Sequence, residues 1–197
     1  EFRRVLFRSM NDSWSAISSG ASYSTAIRSD KLLYTWGINS NGQLGDNTTV
    51  SKSSPVQIGS SSWTTVSAGG TTTIATRSDS GLFAWGLNTA GQIGINDLVS
   101  RSSPVQVGTS SWTNISSGGS FSAAIKSDQS LYTWGTNTVG QLGIVRITST
   151  SSPVIVKSIT DSWTITSGGI SFFGGVRSDK LLFMWGLGTS GQLGSND

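Results

Sequence analysis

Cysteine and histidine are both absent from the 197 residues, and glutamate occurs once, at Glu1. Without cysteine there is no disulfide and no thiolate nucleophile, and without either residue the usual zinc sites have no ligands. General acid–base chemistry leans on His, Glu and Asp. Here it would fall to nine aspartates, four of which recur at equivalent turns, and nothing singles out a pair of them. Charged residues make up 12% of the chain, against roughly 25% in an average globular domain. No run approaches the roughly 18 apolar residues of a membrane-spanning helix, so membrane insertion is not expected. These absences predict a non-enzymatic protein with no cofactor and no metal.

What fills the chain instead is glycine, serine, threonine and asparagine, with 25 Gly and 8 Trp. Glycine supplies turn positions with positive φ, tryptophan supplies buried area, and none of the small polar residues favours a long helix. The composition predicts an all-β protein. Its organisation follows from the tryptophans, at positions 14, 36, 63, 85, 112, 134, 163 and 185. Two lie 22 residues apart in every unit, and successive units are separated by 27, 27 and 29 residues. On this register Gly20, Gly69, Gly118 and Gly169 coincide, as do Asp30, Asp79, Asp128 and Asp179, each preceded by Arg-Ser or Lys-Ser. Gly-Gln-Leu/Ile-Gly follows at 42–45, 91–94, 140–143 and 191–194. Ser-Ser-Pro-Val then recurs, with its proline at 55, 104 and 153.

Within one unit, Trp63-Thr-Thr-Val-Ser and Leu82-Phe-Ala-Trp85 read as strands, with 73–77 between them closed by a Ser-Asp turn. Pro104-Val-Gln-Val107 reads as a fourth strand with proline at its first position. Four short antiparallel strands per fifty residues is the content of a β-propeller blade, which must stack on neighbours to bury its faces. The units run 14–62, 63–111, 112–162 and a partial 163–197. The expected fold is an incomplete propeller of about four blades.

The string Ala26-Ile-Arg-Ser-Asp-x-x-Leu-Tyr-x-Trp-Gly-x-Asn-x-x-Gly-Gln-Leu-Gly45 closely resembles the regulator of chromosome condensation repeat, and it recurs across residues 11–197. No Trp-Asp pair supports the Trp-Asp propeller, and the Phe83/Trp85 spacing is shorter than in kelch repeats. The resemblance implies a seven-bladed propeller and one of three roles: guanine-nucleotide exchange on a small GTPase, inhibition of another protein, or general protein binding. Where the family carries histidine, this chain has Tyr23, Thr72, Phe121 and Phe172. An aromatic fills the same space and forgoes the histidine's hydrogen bond. Asn39, Asn88 and Asn137 match the family, whereas the fourth unit has Gly188.

Residues 1–9 fit no part of the repeat and read as an adapter-derived scar. Without them ten basic and nine acidic residues remain, a formal charge of +1 rather than +3, and nucleic-acid binding loses its support. Met10-Asn-Asp-Ser-Trp14 parallels Thr160-Asp-Ser-Trp163, an internal boundary, so a piece of a longer protein is expected.

Most recurring motifs read as structural. The tryptophans are expected between blades, the glutamines at tight turns, and each Arg/Lys-Ser-Asp as a turn with a local ion pair. Asn11-Asp-Ser, Asn47-Thr-Thr and Asn114-Ile-Ser match glycosylation sequons, as expected by chance in so Asn- and Ser-rich a chain. Recognition is expected where units differ, in the loops after Gly45, Gly94 and Gly143. The candidate binding residues are Asp46, Asn47, Ile95, Asn96, Asp97, Val145, Arg146 and Ile147. The third loop is weighted most, because a solvated loop does not need three aliphatics around an arginine; packing against the next blade is its alternative role. Another protein is the expected partner, with self-association through open blade edges as a further expectation. The weakly charged, Ser/Thr-rich surface also fits a secreted or virion-borne adhesin, and favours an extracellular or virion location over a cytoplasmic one.

Overall fold

Residues 13–156 and 162–195 are described by the structure, a computed structural model. The 1–9 segment, Met10 and the Asn11 sequon lie outside them. Among the described residues, fifteen strands form four antiparallel sheets. The first contains β1 (Trp14–Ser19), β2 (Tyr23–Arg28), β3 (Leu33–Gly37) and β4 (Lys52–Gln57). The second contains β5 (Trp63–Ala68), β6 (Thr72–Arg77), β7 (Leu82–Gly86) and β8 (Arg101–Gln106). The third contains β9 (Trp112–Ser117), β10 (Phe121–Lys126), β11 (Leu131–Gly135) and β12 (Thr150–Ile155). The fourth has three strands, β13 (Trp163–Gly168), β14 (Phe172–Arg177) and β15 (Leu182–Gly186). In each sheet the strands lie in sequence order, so each sheet is one blade of a propeller that does not close into a ring.

The fourth strands differ from the sequence expectation. β8 begins at Arg101, so Pro104 sits inside the strand rather than at its start. Proline is tolerated there because β8 is the outer edge of its sheet, where one N–H direction needs no partner.

First strands pack on first strands along the stack, β1 on β5, β5 on β9 and β9 on β13, so these strands are innermost. A serine on each of β1, β5 and β9 accepts from a backbone amide of the next blade: the Ala68 amide donates to the Ser18 hydroxyl at 2.9 Å, that of Ser117 to Ser67 at 2.9 Å, and that of Gly168 to Ser116 at 2.8 Å. The hydrophobic core is shared between blades rather than enclosed within them. Ile27, Leu33 and Ile58 of the first blade pack with Trp63 and Trp85 of the second, and Ile74, Leu82 and Val107 repeat the arrangement with Trp112 and Trp134.

The expectation that tryptophan is buried between blades therefore holds where blades lie on both sides and at Trp163, while Trp185 of the fourth blade is half-buried. Trp85 and Trp134 are fully buried, and Trp63, Trp112 and Trp163 nearly so. Trp14 of the first blade has no blade before it among the described residues and is 36% exposed.

Candidate functional site

In each of the first three blades the third and fourth strands are joined by a long loop opening with the Gly-Gln-Leu/Ile-Gly turn. Because the strands alternate in direction, this loop and the glycine-rich turn between the first two strands emerge at the same end of the blade. The four Arg/Lys-Ser-Asp turns lie at the opposite end. Successive blades thus present equivalent loops on one face.

The turn is built as its residue types require. The glutamine side-chain oxygen accepts from a backbone amide two residues earlier, Asn41 to Gln43 at 2.9 Å, Ala90 to Gln92 at 2.8 Å and Val139 to Gln141 at 3.0 Å. The Gln43 carbonyl is read by the next blade, accepting from the Trp85 indole N–H at 3.0 Å and the Thr73 hydroxyl at 2.8 Å. Gln92 does the same for Trp134 at 2.9 Å and Ser122 at 2.9 Å. Gly45, Gly94 and Gly143 each lie under the following blade's tryptophan. A Cβ on Gly45 would sit 2.6 Å from the Trp85 indole nitrogen, at a φ of +78°.

A buried asparagine then holds the loop. Asn39 accepts from the Leu44 amide at 2.9 Å and donates to Asp46 at 3.0 Å and to the carbonyls of Thr48 and Val50. Asn88 repeats this with Ile93, Asp97 and Val99. Asn137 bonds the Leu142 amide and the Arg146 carbonyl.

These contacts divide the eight candidate residues. Asp46 is half-buried and tied to Asn39, to Thr48 and to Lys52 at 3.2 Å. Burial raises its pKa, but the Thr48 hydroxyl, Lys52 and the Thr48 amide outweigh that, holding the carboxyl below its ordinary value. The Val99 amide and Arg101, at 2.6 Å, likewise depress Asp97. Ile95 packs on the core shared by the second and third blades. Asn47 and Asn96, at φ values of +61° and +63°, use their backbone: their amides donate to Ser102 (2.8 Å) and Ser151 (2.7 Å) in the following blade. Val145 occupies the same loop position and is fully exposed, with Arg146 and Ile147 also exposed beside it. The residues left free to meet a partner are mainly aliphatic. Val50 (62% exposed), Leu98 (58%), Val99 (60%) and Ile147 (73%) lie on equivalent loops, and sequence reading had singled out only Ile147. Their signal was present in the sequence as one or two aliphatics just before the serine that ends each loop.

The opposite face carries the ion pairs expected of the turns. Arg77 meets Asp79 at 2.7 Å, and Arg28–Asp30 and Arg177–Asp179 are paired likewise. In the third blade Lys126 lies 4.1 Å over the Tyr132 ring, while Asp128 accepts from the Ser130 amide at 2.9 Å. Tyr23, expected only to fill the place of a histidine, also restores a hydrogen bond between blades. Its hydroxyl donates to the Thr72 carbonyl and accepts from the Thr73 hydroxyl, each at 2.9 Å, and burial pushes its pKa well up.

Among the described residues, no three His, Cys, Asp or Glu side chains are grouped to hold a metal ion. Among the described residues, no helix is long and apolar enough to cross a membrane.

Models of the regulator of chromosome condensation (RCC1) repeat match residues 30–76, 79–125 and 128–170, and, in a second form, 14–43 and 112–141. The chain belongs to the RCC1 repeat family. Among solved structures, human WBSCR16 is similar at a TM-score of 0.87 and 20% identity, over 97% of this chain and 52% of that one. The structure of Kap60 bound to yeast RCC1 (Prp20) gives a TM-score of 0.82 and 17% identity, over 92% and 45%. Prp20p from Saccharomyces cerevisiae, described with its binding properties to Gsp1p and histones, gives 0.72 and 21%, over 83% and 44%. At these identities the likeness shows the fold, and the chain spans about half the length of these RCC1-type propellers. No curated protein sequence matches the chain.

Proposed function

We propose that the chain is a non-enzymatic scaffold that binds another protein through the loops joining third and fourth strands. The observation that carries this reading is the row of exposed aliphatics, Val50, Leu98, Val99, Val145 and Ile147, on equivalent loops of three adjacent blades. Solvated loops gain nothing from such side chains, whereas an interface core does. Arg146, exposed between Val145 and Ile147, adds a group able to pair with a partner carboxylate while its neighbours exclude water. The similar Prp20 structures, described with Kap60, Gsp1p and histones, support a protein as the partner class.

The test is a paired set of variants assayed against a purified partner. Arg146→Ala and Ile147→Ser should weaken binding at least tenfold, about 1.4 kcal/mol, with the melting temperature unchanged. Arg77→Ala, at the opposite end of the blades, should leave binding intact. The reverse pattern would assign recognition to the opposite face.

A further inference from the structure

The first and third blades carry the same tyrosine, Tyr34 and Tyr132, at equivalent places on their third strands. In the first blade the Tyr34 hydroxyl donates to the Gln57 side-chain oxygen at 3.1 Å, and the Gln57 amide donates in turn to the Gly59 carbonyl at 2.8 Å. Neither later blade keeps that pair. The second has the glutamine without the hydroxyl, because Gln106 lies opposite Phe83. The third has the hydroxyl without the glutamine, because Tyr132 lies opposite Ile155. The cation that ends the second strand changes as well. Arg28, Arg77 and Arg177 are each paired with the aspartate two residues on. Lys126 has no carboxylate within ion-pair distance among the described residues and rests 4.1 Å over the Tyr132 ring.

These departures meet in one place. Gln106, Lys126 and Tyr132 all line a groove of about 400 Å³ between the second and third blades. Among the described residues, the Gln106 amide and the Tyr132 hydroxyl make no hydrogen bond within the protein. The groove thus offers an ammonium, a carboxamide and a phenol, a set rich in donors, and Lys126 is the one charged residue that lines it. Val107, Pro153 and the Trp112 ring supply apolar wall. The corresponding groove between the first and second blades is larger, about 740 Å³, but its polar groups are already engaged. There Gln57 is bonded to Tyr34, Arg77 is paired with Asp79 and Lys52 with Asp46.

We propose that the groove between the second and third blades binds an organic carboxylate, held by Lys126, Gln106 and Tyr132, with its apolar body against Pro153 and Trp112. A carboxylate accepts from all three donors and brings the negative charge that Lys126 lacks, and hydrogen bonds between ionised partners are the strong ones. An apolar wall with a few placed polar groups is the usual form of a small-ligand site. Val50, Leu98, Val99, Val145 and Ile147 do not line the groove, so this inference stands apart from the aliphatic loop face.

Free organic acids and acidic peptide side chains both present this chemistry, and the test carries a probe for each. Phenylacetate and the capped peptide acetyl-Ala-Phe-Glu-Ala-amide are titrated into the isotope-labelled full chain and followed by NMR. At least one should shift the Gln106 side-chain amide signals saturably and leave those of Gln57 in place, and the tighter probe names the source. Neutral phenylacetamide, and for the peptide its Gln counterpart, should bind roughly tenfold more weakly, as should the acids to Lys126→Gln. The sharpest variants restore the missing partners. Phe83→Tyr sets a hydroxyl beside Gln106, and Ile155→Gln sets a glutamine beside Tyr132, each copying the Tyr34–Gln57 pair. Sister blades already carry these residues at these positions, so the melting temperature should match the parent's while the double variant loses roughly tenfold in affinity. Binding of neither probe, equal binding of the neutral probes, or parent-like affinity in the folded double variant would overturn the inference.

Discussion

The second and fourth blades share one sequence template and differ in how they are held. The second is gripped on both sides. Its Trp63 and Trp85 fill the first blade, while its own Ile74, Leu82 and Val107 receive Trp112 and Trp134 of the third. The fourth is gripped on one side, and its sequence has changed at that interface. Phe173 stands where Thr73 and Ser122 donate to the preceding blade's glutamine carbonyl, and the buried Trp185 indole N–H makes no hydrogen bond. Aromatic contact takes over, with Phe173 5.9 Å from Phe121 and 5.1 Å from Trp185. Gly174 and Gly175 make room around it. A Cβ on Gly174 would lie 2.4 Å from the Met184 sulfur, and one on Gly175 2.6 Å from the Trp163 ring. On its outward side Ile165 is 55%, Ile170 81% and Leu182 66% exposed, whereas Leu82 is fully buried. A unit of this repeat therefore reaches its full burial only between two others.

The comparison breaks most visibly at tryptophan. Trp85→Ala should cost ~3–5 kcal/mol, the range for emptying a large aromatic site. Trp14→Ala, at the first blade's open side, should cost less than half as much. Equal denaturation midpoints for the two would show that burial between blades is not what stabilises them.

Next come the closing glycines. Gly45→Ala forces a methyl into the Trp85 ring at positive φ and should cost ~2–4 kcal/mol, combining overpacking with left-handed strain. Gly194→Ala has the same backbone conformation but nothing within 4 Å, and should cost only ~1–2 kcal/mol. Thermal or urea midpoints that rank them the other way would remove the indole from the account.

The asparagine staple should be worth somewhat less. Asn88→Ala orphans the Ile93 amide and the carbonyls of Asp97 and Val99, an expected loss of ~1–3 kcal/mol. The fourth blade already has Gly188 at this position and no such staple to lose. An Asn88→Ala chain as stable as the parent would mean that the loop does not need it.

The smallest effect is electrostatic. Arg77, followed by the Gly81 amide, holds the exposed Asp79 carboxyl below its ordinary range. A depressed folded-state pKa contributes stability above the unfolded value, about 4, and that contribution is lost as pH falls through the folded value. Arg77→Ala should therefore lower neutral-pH stability slightly, flatten the acid limb of a stability–pH profile to match, and leave stability below the folded value unchanged.

The fold was legible in the sequence because its period was: tryptophan spacing located four units, and strand-like segments within them fell where strands form. The position of Pro104 was misjudged because an edge strand tolerates proline in its interior, and edge status comes from the assembled sheet. The loops were less legible. Asn47 and Asn96 drew attention through their side chains, while the contacts they make to the next blade run through backbone amides, which any residue supplies. Val145 and Arg146 stood out by composition. Asn47 and Asn96 are exposed at the same loop position as Val145, so that exposure belongs to the loop's geometry, which composition does not display.

The serine ladder along the innermost strands has a direction. Ser18, Ser67 and Ser116 each reach forward to the following blade, and Ser167 holds the same position at the end of the series. A stack joined this way has two unlike ends, and the ladder itself carries no mark of rank, since each serine recognises a neighbour and not a position. Rank is written elsewhere, in the Tyr23 bond to the second blade and in the Phe173 contacts of the fourth. Whole units could be gained or lost, tryptophan to tryptophan, without breaking the ladder, and only those side chains would register the change.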